Sequence, residues 1–156
     1  MSMDLDRLLP ESHWAVKLSE LEDGAAIFVW TLRQWAQAAR SRVCMNEALA
    51  APYVNANCPL AITLADEMFC LLSAAVHRPI DVFCHHANHL SADEERLVLV
   101  LQALERQQAE PAQTDLSQLI VGPLNRTFCR IAVEYIGELK KVDLSCIGIR
   151  KLRLVD

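Results

Sequence analysis

The chain has 156 residues, 53% of them hydrophobic and 22% charged, with a formal net charge of −5 and a sequence pI near 5.5. That length suits one domain whose core stands without staples, and that apolar content excludes wholesale disorder. The acidic balance argues against a nucleic-acid partner, since phosphate binding needs a basic surplus.

No apolar run reaches the roughly 18 to 20 residues that span a bilayer. The opening "MSMDLDRLLPESHW" lacks the basic and apolar regions of a signal peptide. The expectation is a cytoplasmic protein with no membrane partner. Its six cysteines, at 44, 58, 70, 84, 129 and 146, contain no CxxC pair and fit reduced thiols. With four glycines and six prolines the chain is sparsely punctuated. Its abundant Ala and Leu favour helix. The fold class expected is all-α, a single domain over 1–156 built as a bundle of four to six helices.

In chain order, Ser19 and Glu22 have the spacing of a capping box. Leu21, Ala25, Phe28, Leu32, Trp35 and Ala39 then recur at alternating steps of four and three, which predicts a helix over about 20–42. Ile27, Trp30 and Thr31 widen its apolar face. Phe28, Trp30 and Trp35 are therefore the candidate interaction residues, and a homodimer through this helix is expected. Arg33, Arg40 and Arg42 read as a solvated face. A short helical turn over 46–51 should end at Pro52, with loop over 53–58. Pro59 suits the first turn of a helix over 59–76 that carries Ile62, Leu64, Ala65, Met68, Phe69, Leu72 and Val76. "PIDVFC" reads as a short strand near 80–84, with the C-terminal tail (Ile147, Ile149, Leu152, Leu154) as a partner in a minimal two-stranded element.

Ser91 and Glu94 repeat the capping-box spacing and open a helix over 91–107. "AEPAQ" reads as a turn. Thr114 or Asp115 should cap a helical region over 114–141, interrupted at Gly122-Pro123, where proline removes a backbone donor. Arg150, Lys151 and Arg153 in the tail form a second solvated basic run.

The stretch "DVFCHHANHLSADEERL" concentrates the side chains most suited to chemistry. Cys84 and His89 supply two of the four ligands a tetrahedral zinc site needs, while the adjacent His85 and His86 point apart. Cys84 also has imidazoles beside it and a helix start ahead, the setting of a reactive thiol. Against these readings, Ser91 needs a non-helical approach in order to cap, so 85–90 should run as a structural turn. Alternation from Val82 points Cys84 inward and Phe83 the other way. Asp93, Glu94 and Glu95 lie in a first helical turn, where acids complement the dipole. Asp66-Glu67 is a weaker carboxylate pair. His13 and His77 stand alone, and Trp14, Trp30 and Trp35 suit packing better than base stacking.

No GxGxxG, P-loop, GxSxG, HExxH or Glu-x-x-His signature is present. The functional expectation is a non-enzymatic cytoplasmic helical protein acting through protein–protein interaction, as adaptor, regulator or self-associating module, without a cofactor. The alternative is a metal-binding or thiol-based sensor centred on Cys84–His89, with zinc as the metal. An enzyme of unknown class is third.

Overall fold

The structure, a computed structural model, describes residues 16–147. Six α-helices lie within them: α1 (Asp23–Ser41), α2 (Met45–Asn55), α3 (Leu60–Ala75), α4 (Ala92–Glu105), α5 (Ala109–Leu116) and α6 (Asn125–Lys140). Short 3₁₀ turns at Leu18–Glu20 and Gly122–Leu124 precede α1 and α6. The fold is an all-α bundle. Helix α1 packs on α2, α3 and α4; α3 lies along α6; α4 lies along α5 and α6.

Phe28, Phe69 and Tyr135 meet at its centre, with ring centroids 5.5 Å (Phe28–Phe69) and 6.1 Å (Phe28–Tyr135) apart. Phe28 is therefore a core residue, closed to a partner in this fold. Three hydroxyls run through the same core. Thr31 Oγ1 donates to the Ile27 carbonyl at 2.7 Å, Thr31 is bonded to Tyr53, and Tyr53 OH lies 2.7 Å from Tyr135 OH. Burial pushes both tyrosine hydroxyls well above their ordinary range, so both stay protonated and able to donate.

Several element boundaries differ from expectation. Helix α1 starts at Asp23 rather than 20, because Ser19 lies in the 3₁₀ turn and Leu21 is buried before the helix begins. Helix α2 runs through Pro52 to Asn55 instead of stopping there. Leu49 and Tyr53 are fully buried on either side of Pro52, and that packing outweighs the helix bond proline removes. "AEPAQ" is not a turn. It opens α5, with Pro111 in the first turn, where a backbone N–H has no intrahelical partner. The region from 114 is thus not capped at Thr114 or Asp115, although the interruption at Gly122-Pro123 is present.

The segment 80–84 lies in no strand. Its donors go to side chains instead: Asp81 N–H to Asp93 at 2.7 Å and Phe83 N–H to Glu94 at 3.2 Å. Two isolated antiparallel bridges, Lys17 with His89 and Val76 with Ile120, are the pairings among the described residues. His13, Trp14, the tail beyond Ile147 and its basic run lie outside the described residues.

The last described residues close the bundle. Gly24 N–H donates to the Ser145 carbonyl at 2.9 Å. A β-carbon at Gly24 would lie 2.6 Å from that oxygen, so glycine is what permits the approach. Gln102 donates to the Cys146 carbonyl at 2.8 Å, and Glu105 accepts from Ser145 Oγ and Cys146 N–H.

Candidate functional site

Residues 76–91 cross from α3 to α4 as an irregular segment, and two ion pairs hold it down. Glu94, at N3 of α4, completes a capping box with Ser91: Glu94 N–H donates to Ser91 Oγ at 3.0 Å and Ser91 N–H to Glu94 at 2.9 Å. The same carboxylate receives Arg33 of α1 through Nε at 2.9 Å and Nη2 at 3.0 Å. Arg33 also donates to the Ala87 and His89 carbonyls, at 3.0 and 2.9 Å. Both side chains are essentially inaccessible, 1% and 0% exposed. Arg33 is therefore not part of a solvated basic face. It pins the segment to α1 in a buried pair whose hydrogen-bonding groups are satisfied.

Asp93 does the same one residue earlier. It accepts both Arg78 nitrogens at 2.8 Å, and the Asp81 N–H. The Arg78 guanidinium, aided by that N–H, holds its carboxyl below the ordinary carboxylate range, although partial burial pulls the other way. Asp93 and Glu94 thus do more than complement the helix dipole: each fixes a backbone donor of the crossing segment.

The Cys84–His89 stretch is a turn closed by Ala87 N–H on the Cys84 carbonyl at 3.0 Å. Cys84 is exposed, not inward-facing, because this turn ends the alternation begun at Val82. His85 and His86 are exposed, with their rings 4.5 Å apart and tilted at 54° to each other. Among the described residues no three His, Cys, Asp or Glu side chains converge to hold a metal.

What the crossing segment does build is a groove. Its residues Val76, His77, Arg78, Pro79, Ile80 and Val82 form one wall. Leu32, Trp35 and Ala36 of α1 and Phe69, Leu72 and Ser73 of α3 form the rest. The space is about 470 Å³, within the range of small-ligand pockets. Trp35 is fixed by its indole N–H on Asp66 at 2.9 Å and by Phe69, 6.0 Å away. Of the three candidate interaction residues, Trp35 is in this groove, Trp30 is half-buried elsewhere on α1, and Phe28 is in the core.

Sequence reasoning gave Phe69, Leu72 and Val76 to the core and missed the groove. The signal was there: α3 is apolar over more of its girth than one neighbour covers. Ile80 and Val82 alternate, which placed them on one face, but nothing local said that the face was α1's. Among the described residues no helix is long and apolar enough to cross a membrane. Comparison of the chain with protein-family models, curated proteins and solved structures gives no match.

Proposed function

We propose that this chain is a non-enzymatic helical binding protein, an adaptor or regulator, that takes aliphatic side chains of a protein partner into the groove between α1 and α3. One observation carries the reading: the groove is mainly apolar, and three of its polar side chains are already engaged. Trp35 bonds Asp66, Ser73 bonds the Cys70 carbonyl at 3.0 Å, and Arg78 bonds Asp93. An apolar centre with a polar rim is the anatomy of a recognition pocket. Each aliphatic side chain seated there gains about 25 cal/mol per Å² of apolar surface removed from water. An amphipathic helix with residues at i, i+3 and i+4 suits a groove walled by helices.

The test is selection of helical peptides from a displayed library. The counter-screen is Ala36→Glu, which sets a carboxylate at a half-exposed groove position and spares the core. Selected peptides should carry the i, i+3, i+4 pattern and lose at least about tenfold in affinity on the variant, roughly 1.4 kcal/mol. Peptides that bind the variant equally well would sink the proposal.

Self-association is a second reading, favoured by the half-buried Trp30 on α1. The six unpaired thiols support the cytoplasm as the compartment.

A further inference from the structure

We infer, on the reading that the groove takes aliphatic side chains, that its partner is an amphipathic helix with a carboxylate on one flank of those side chains. Arg78 and His77 receive the carboxylate, so the groove admits the helix in one orientation.

Arg78 and His77 are the ionisable side chains of the lining, and no carboxylate lies among the described residues that form it. Both are exposed, and they stand together at one end. Phe69, Leu72 and Ser73 carry the lining along α3, Val76 follows its last residue, Ala75, and His77 and Arg78 come next. Trp35, bonded to Asp66 and 6.0 Å from Phe69, stands toward the opposite end. From Phe69 to Ala75 the helix runs about 9 Å. Partner residues at i, i+3 and i+4 span about 6 Å, so they fill that length. The next turn of the partner then lies beside the two basic side chains.

Arg78 is already paired, yet the pair presents its cationic half. Its Nη1 and Nη2 donate to Asp93 at 2.8 Å, and Nη1 also donates to the Pro79 carbonyl at 3.0 Å. Those bonds leave Nε–H and one Nη2–H for another acceptor. The Arg78 side chain is 59% exposed and that of Asp93 5%. An incoming group therefore meets donors, with the compensating carboxylate behind them. Asp93 also holds the arginine in place, which lowers the ordering cost of binding. Asp81 acts on Arg78 too, but it is outside the lining. His77 is fixed by its backbone N–H on the Leu119 carbonyl at 3.0 Å, and its imidazole has no partner among the described residues. A carboxylate seated there accepts charge-assisted bonds, whereas a lysine meets the guanidinium and is turned away.

The test is a displayed library of helical peptides with Leu fixed at i, i+3 and i+4. Glu, Gln or Lys is allowed at i−4 and i−3 on one flank and at i+7 and i+8 on the other. Peptides selected on the full chain and lost on Ala36→Glu are titrated by fluorescence anisotropy at low and high salt. They should carry Glu on one flank only. Replacing that Glu by Gln should weaken binding about threefold at low salt, as for a partly exposed ion pair, and less at high salt. Arg78→Gln should narrow the Glu-over-Gln ratio. Because it also breaks the Asp93 pair, His77→Glu serves as a second variant on an exposed, unbonded side chain and should shift the preference from Glu toward Lys. Leucine peptides lost on Ala36→Glu that show no charge preference, prefer Lys, or carry Glu on both flanks leave the groove standing and overturn the inference. A Glu preference that survives both Arg78→Gln and His77→Glu assigns the acid to another surface and also overturns it. If no selected peptide is lost on Ala36→Glu, the groove reading falls and this inference with it.

Discussion

At the residue scale, Tyr53 and Tyr135 look interchangeable but are not. Thr31 uses its only proton on the Ile27 carbonyl, so Tyr53 has to donate to Thr31 and Tyr135 to Tyr53. Tyr135→Phe removes only the terminal donor and leaves an unfilled lone pair. Tyr53→Phe strands the Tyr135 proton in a fully buried site, a loss of about 1–3 kcal/mol. Urea denaturation should rank Tyr53→Phe as the more damaging change, and the reverse order would contradict this direction of donation. The cysteines divide as sharply. Cys44, Cys70 and Cys84 are exposed, while Cys58, Cys129 and Cys146 are buried. Burial, with Glu105 nearby, pushes the Cys146 thiol up to about 12. Mass spectrometry after brief maleimide treatment at pH 8 should find three adducts on the folded protein. Cys70 should be the slowest of them, because partial burial and then the Asp66 carboxylate raise its thiol. Modification of Cys146 before unfolding would contradict the packing of the C-terminal arm.

At the element scale, the crossing segment depends on two carboxylates at the start of α4. Arg33→Ala would leave Glu94 charged and buried without its partner, a change that costs about 3–5 kcal/mol. Loss of the Ser91 cap in Ser91→Ala should cost about 1 kcal/mol. Hydrogen exchange should show amides of 83–90 opening first in Arg33→Ala; protection equal to wild type would show that other contacts hold the segment. Asp93 gives a pH signature. Its carboxyl is held low in the folded state, so its stabilising contribution is full above the unfolded value and is lost as pH falls through the folded one. Arg78→Met should therefore lower stability most at neutral pH and flatten the acid side of the curve, the two proteins converging as pH falls below about 4. An unchanged acid limb would contradict the pairing.

These elements also show what a linear sequence can carry. Ser91-x-x-Glu94 announced α4 correctly, yet Ser19-x-x-Glu22 has the same spacing and no α-helix starts at Ser19. The difference is tertiary. Glu94 is fixed by Arg33 from sixty-one positions away, whereas Leu21 is drawn into the core before a helix can form at Ser19. Helical periodicity revealed α1, α3, α4 and α6. It missed the extent of α2 and the start of α5, because proline reads as a stop wherever packing is invisible. The groove was illegible for a related reason: its α1 wall is far in sequence from the wall that α3 and the crossing segment make, and neither is unusual alone.

At the scale of the whole molecule, the half-buried Trp30 carries the self-association proposal. Sedimentation at high micromolar concentration should show a dimer that Trp30→Glu dissociates with helicity intact. A strict monomer would remove that proposal while leaving the groove untouched. The closing arm has a consequence of another kind. Gly24 at the start of α1 is tied to Ser145, and the end of α4 waits for Cys146. During synthesis, then, α1 leaves the ribosomal tunnel long before its first turn has a neighbour to accept Gly24 N–H. More than a hundred further residues must be translated before that contact exists. A nascent chain stalled before Ser145 emerges holds every helix of the bundle but not its closure, and is the form in which chaperones and proteases would meet this protein.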